Sequence, residues 1–186
     1  VGWELPGFDD SEWPRVNYGF GAKFRKLGPL PDSVNQEELD RLLSSQTIPD
    51  FSKPMVIDGE SYTWEPYDFS WRWGMDGDPG HQGYHGLKEN ISDDFIGLGK
   101  PEKKFNEILY TKEEEGTCYY LWTSVFAGKS GRATFGMDGL KPEAVFLNKK
   151  QVNDVSSYQE LKKGGNSLLL RYNNPGRGHF VVIGEG

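Results

Sequence analysis

Residues 145–172, VFLNKKQVNDVSSYQELKKGGNSLLLRY, decide the fold. Val145-Phe146-Leu147 is a short apolar run, and Asn148-Lys149-Lys150 breaks it with turn chemistry. A polar segment then passes through Leu161-Lys162-Lys163-Gly164-Gly165-Asn166 into a second run, Ser167-Leu168-Leu169-Leu170-Arg171-Tyr172. Runs of this length bounded by Asn and Gly are strand signals. The Leu, Val and Phe residues are expected to build core, and the Asn and Gly residues to make turns.

The same pattern recurs outward in both directions. Tyr62-Thr63-Trp64, Tyr67 to Trp73, Tyr119 to Phe126, Arg132 to Gly136, Ala144 to Leu147 and Phe180 to Ile183 are all short aromatic or β-branched runs. Their succession without intervening helices predicts a sandwich. One helix interrupts it. Ser33 and Gln36 stand at capping-box spacing, and Leu39, Leu42 and Leu43 follow at helical intervals, which predicts a helix over 34–45 closed off by Pro49 and Pro54. Such a helix reads as a lateral support, its apolar stripe being short for a partner groove. The expectation is an all-β jelly-roll sandwich with one short helical insert at about 33–45, spanning residues 1–186 as a single domain, with no internal repeat.

The strand and turn residues around Asn148 and Asn166 resemble the "vNGk … L+kGxNxL" signature of galactose-binding-like domains, the jelly-roll sandwiches attached to many secreted glycoside hydrolases. Near the start of the chain, Phe8-Asp9-Asp10-Ser11-Glu12-Trp13-Pro14-Arg15-Val16 is similar to the "FDDSxWxxV" segment of sugar-binding sandwich domains in family 2 glycoside hydrolases and in rhamnosidases. Without that likeness, Asp9, Asp10 and Ser11 read as an Asx-type turn with Phe8 and Trp13 packed on either side. The resemblance is most secure over residues 117–183 and looser over 3–16. It implies a non-catalytic domain that binds carbohydrate or supports a neighbouring catalytic domain of the same polypeptide. It also implies an extracytoplasmic setting (secreted, periplasmic or cell-surface) and allows one structural calcium, with no other cofactor required.

Composition is compatible with this. The chain has 186 residues, enough for one core, and a net charge of -7 with a pI near 5.0. That balance argues against a nucleic-acid surface, which needs clustered Lys and Arg. No stretch reaches the length required to span a bilayer. The single cysteine, Cys118, removes any disulfide framework and reads as a small buried hydrophobe in a strand. The sequence begins Val1-Gly2-Trp3, and this start is expected to reflect a processed chain or an excised domain.

The candidate functional segment is the loop 71–88, WRWGMDGDPGHQGYHGLK. Five of the 24 glycines and two of the three histidines fall in it. Glycine lets the backbone approach a ligand closely, and aromatic rings among fixed polar groups suit a sugar site. Trp71, Arg72, Trp73, Asp76, Asp78, His81, Tyr84 and His85 are the candidate ligand-binding residues. Three other readings stay open. The loop is an ordered connection pinned by its Trp and Tyr; or it holds a metal through His81 and His85, or through the oxygens of Asp76 and Asp78; or two of its acids form a glycosidase pair. The last makes the alternative function, a small stand-alone glycan-acting enzyme using Asp76, Asp78, His81 and His85. Zinc-protease chemistry is disfavoured, because Gln82 stands where a base would and Gly80, Gly83 and Gly86 oppose a helix.

Remaining features carry less. Asn90-Ile91-Ser92 matches a glycosylation acceptor, which matters only in a eukaryotic secretory setting. His179 reads as a structural residue where a strand begins, and Arg171 as an exposed strand end able to pair with an acid across strands. No G-x-S-x-G elbow occurs, and Gly128-Lys129-Ser130 lacks the upstream Gly of a phosphate loop, position 123 being Thr123.

Overall fold

The computed structural model describes residues 24–67, 95–98, 101–104, 107–110 and 117–185. They form an all-β sandwich with one short helix. The larger sheet has six antiparallel strands in the order β11-β10-β13-β8-β1-β4, namely Lys150–Gln151, Ala144–Leu147, Gly164–Tyr172, Thr117–Ala127, Phe24–Pro31 and Glu65–Tyr67. The smaller has four, β12-β9-β14-β5, namely Gln159–Leu161, Gly131–Gly139, Gly176–Gly184 and Phe95–Leu98. From β8 onward the chain changes sheet at every connection except the β10–β11 hairpin. Two small hairpins complete the strands: β2 with β3 (Met55–Ile57, Glu60–Tyr62) and β6 with β7 (Pro101–Lys104, Glu107–Tyr110).

Strand alternation sorts the apolar side chains into two cores. Tyr119, Leu121 and Val125 of β8, Val145 and Leu147 of β10, and Leu168, Leu170 and Tyr172 of β13 pack toward Phe135, Phe180 and Val182 of the smaller sheet. Their neighbours point the other way. Cys118, Tyr120, Trp122, Phe146 and Leu169 meet Leu39 and Leu43 of the helix, together with Ile57 and Trp64. The larger sheet is thus covered on both faces, which is why β8 and β10 read as unbroken apolar runs.

Strand β1 serves both cores and carries a bulge. Leu27 pairs with Tyr120 and Leu30 with Cys118, so β1 spends one residue more than β8 between these points. In a regular strand Leu27 and Leu30, an odd number apart, would face opposite ways; with the bulge taking up the extra residue both are buried on the helix side, while Phe24 faces the other sheet. Gly28 makes the bulge possible. Its φ is +114°, and a Cβ there would lie 2.7 Å from the Cys118 carbonyl oxygen.

The helix α1 runs from Gln36 to Ser44. Its cap is Asn35 and not Ser33: Asn35 Oδ1 accepts from the Glu38 amide at 3.2 Å, and Asn35 Nδ2 donates to Glu38 Oε2 at 3.4 Å. The cause lies one turn earlier. The Val34 amide donates to the Pro31 carbonyl, folding Ser33 into the preceding turn, and buried Val34 with buried Leu39 forms the hydrophobic staple that fixes the helix start. Leu39 and Leu43 are buried while Leu42 is largely exposed, so the helix is the lateral support that its pattern predicts.

In the segment that decides the fold, Asn148 (φ 50°) and Lys149 (φ 73°) form the two-residue turn between β10 and β11. Asn166, fully buried, then ties several segments to one amide. Its Oδ1 accepts from Asn148 Nδ2 at 2.8 Å and from the Lys162 amide at 2.9 Å. Its Nδ2 donates to the carbonyls of Val125, Lys162 and Gly164.

Gly28→Ala is expected to lower stability by about 2 kcal/mol or more, since the side chain meets backbone at a left-handed φ. Gly128→Ala, where a Cβ meets nothing, should shift it by less than about 0.5 kcal/mol. Lys149→Gly should raise it by about 0.5–1 kcal/mol by relieving the left-handed residue of the turn. Urea midpoints of the three variants check all of these.

Candidate functional site

All of the predicted ligand-binding residues, Trp71, Arg72, Trp73, Asp76, Asp78, His81, Tyr84 and His85, lie outside the described residues, as does Asn90. What is fixed is where their segment is tethered. It leaves β4, the last described strand on one side of the larger sheet, and returns at β5, the last described strand on one side of the smaller sheet. Covalently, residues 68–94 join the two layers. His179 falls inside β14, where its backbone pairs with Phe95 and Asp138.

Among the described residues the principal polar cluster lies between α1 and the larger sheet. Arg171 Nε donates to Asp40 Oδ1 at 3.0 Å, and its Nη1 donates to Gln36 Oε1 and Asn173 Oδ1, both at 2.6 Å. The Tyr120 hydroxyl donates to the same Asp40 oxygen at 2.8 Å. The Arg171 and Asp40 side chains are only 13% and 15% exposed. Arg171 is therefore not an exposed strand end paired across strands. It points to the helix side, where Gln36 and Asp40, one helical turn apart, present acceptors beside the apolar stripe of Leu39 and Leu43. The Gln36-x-x-x-Asp40 spacing was the available signal in the sequence, and its partner came from a strand 131 residues away.

The surroundings of this cluster suppress ionisation of its neighbours. Burial pushes the Cys118 thiol up to about 11, with the Asp40 charge adding to the effect and Arg171 opposing it. Burial also pushes the Tyr120 phenol well above its ordinary range, reinforced by the Asp40 carboxylate and the hydrogen bond to it. A thiol held protonated is a poor nucleophile, in keeping with Cys118 as a buried strand residue. The Tyr172 phenol, buried between the sheets, is raised for the same reason. Tyr172 Oη and Trp122 Nε1 are buried without a hydrogen-bond partner among the described residues.

The arrangement anchors a helix; it does not present a nucleophile beside a base. Comparison with protein-family models, curated proteins and solved structures found no match. The described residues hold no group of three or more His, Cys, Asp or Glu side chains able to share a metal ion, so the calcium implied by the resemblance is assigned to none of them. No helix among them is long and apolar enough to cross a membrane.

Asp40→Ala leaves the partly buried Arg171 guanidinium without its carboxylate and is expected to cost about 2–4 kcal/mol. The double variant Asp40→Leu/Arg171→Met should regain much of that loss. A double-mutant cycle on urea midpoints reads both.

Proposed function

We propose that this chain is a non-catalytic, galactose-binding-like accessory domain of an extracytoplasmic glycoside hydrolase, binding carbohydrate through the loop 71–88 and standing beside a catalytic domain of the same polypeptide. The observation that carries this reading is the hairpin and buried Asn166. The residues that resemble the galactose-binding-like signature occupy structural positions in a β-sandwich, with Asn148 in the turn and Asn166 as the staple. A side chain satisfying donors and acceptors from so many segments gives a physical reason for Asn in that motif. Within the described core, Asp40, Arg171 and Tyr120 are engaged with one another, which leaves ligand contact to the loop and the surface.

The test pairs affinity electrophoresis of the full chain in gels containing polysaccharides with reducing-sugar release from the same polymers. Retardation without turnover is expected. Trp71→Ala and Trp73→Ala should each weaken it by about tenfold, roughly 1.4 kcal/mol, as loss of one stacking ring would. Sugar release that disappears in Asp78→Ala or His81→Ala would instead establish the stand-alone enzyme.

A further inference from the structure

The two sheets differ in what covers them. The outer face of the larger carries α1 and the β2–β3 hairpin, whereas one end of the smaller presents a set of exposed side chains. In β9, Ala133 and Phe135 point into the core, so Arg132 and Thr134 point outward; in β14, Val182 points inward and Ile183 outward. Glu160 of β12 sits directly opposite Arg132, and the Glu185 amide donates to the Arg132 carbonyl, which puts the Arg132, Glu160 and Glu185 side chains on one outer corner.

Tyr158 stands over that corner, 54% exposed, with the Arg132 guanidinium 4.7 Å from its ring centroid. Arg132 is itself clamped: Nε donates to Glu185 Oε2 at 2.8 Å and Nη2 to Oε1 at 3.1 Å. The loop bearing the ring is equally restrained. Asp154 Oδ1 accepts from the Ser156 amide, and Gln159 Nε2 donates to the carbonyls of Asp154 and Ser157. Exposed contacts of this kind add little to stability, yet here they accumulate around one solvent-facing ring. Their effect is to hold an aromatic face ready, so that little side-chain freedom is lost when something stacks on it.

We propose that this corner is a second sugar-binding surface, on which a neutral pyranose stacks against Tyr158 and meets Ile183, itself 55% exposed, at its edge. Arg132 Nη1, engaged by no acceptor among the described residues, donates to a sugar oxygen, and the Glu185 and Glu160 carboxylates accept from hydroxyls. Charge selects the ligand class. One guanidinium faces two carboxylates, so the corner has no surplus positive charge for a phosphate, a sulfate or a uronate, while hydroxyls satisfy both signs at once. The surface extends the carbohydrate reading to a place covalently remote from the loop 71–88, and a different set of variants tests it.

The experiment is amide-shift mapping by NMR on the full chain, titrated separately with methyl β-D-galactopyranoside, methyl α-D-mannopyranoside, methyl β-D-glucopyranoside and methyl α-L-rhamnopyranoside. Saturable shifts at Arg132, Thr134, Tyr158 and Ile183 with at least one glycoside are expected. Tyr158→Ala should weaken them at least about tenfold and Tyr158→Phe should keep them, since the ring and not its hydroxyl makes the contact. Trp71→Ala/Trp73→Ala should leave them in place. Silence of these amides with every glycoside, or shifts that survive Tyr158→Ala, overturns the proposal. Polysaccharide retardation that persists while these amides stay silent overturns this surface alone and leaves the loop reading standing.

Discussion

The six-stranded sheet is dry on both faces over its central strands, and most of the molecule follows from that constraint. Side chains alternate along β8, β10 and β13, so each strand must supply apolar groups in two directions at once. The smaller sheet and the helix with its neighbouring hairpin are the two coverings. Each buries what would otherwise be a large exposed apolar surface. Neither face can be left open without exposing residues such as Tyr119 and Leu168 on one side or Tyr120 and Leu169 on the other.

A sheet with two dry faces tolerates polar groups only where every donor and acceptor is met. Asn166 solves this on the inter-sheet side by closing the β10–β11 turn, the end of β12 and the edge of β8 onto one amide. On the other side Arg171 and Asp40 do so with Tyr120, Gln36 and Asn173. The two solutions differ in kind. A neutral amide needs no compensating charge, whereas the ion pair is retained at the margin of the helix, where some water remains. Both therefore fix position, one of a turn and the other of a helix.

Much of the scaffold was legible in the sequence. Val145 to Leu147 and Leu168 to Tyr172 pair as antiparallel strands, and the runs at Tyr119, Arg132 and Phe180 are strands too. Their apolar periodicity is local and survives without knowledge of the fold. Strand β1 was missed because Gly28-Pro29 interrupts Phe24 to Pro31 with residues that ordinarily end a strand, and only pairing with β8 makes the bulge intelligible. The capping residue was misplaced by two positions because Ser33 and Asn35 both offer cap chemistry, and the choice rests on where Val34 is buried. Of the candidate site, the loop 71–88 stands outside the described residues, while Tyr158, Arg132 and Glu185 carry no motif that links them. They become neighbours through strand pairing alone.

The bulge in β1 also specifies length. Between Leu27 and Leu30 the strand holds one residue more than its partner requires, and taking up this surplus in the bulge is what lets leucines three apart share a layer. An unbulged strand of the same length would act as a spatial frameshift: Leu30 would turn toward a compartment already filled by Tyr119 and Leu121, and the turn leading to α1 would begin from the wrong side of the sheet. At this point in the chain the number of residues is as much a part of the code as their identity.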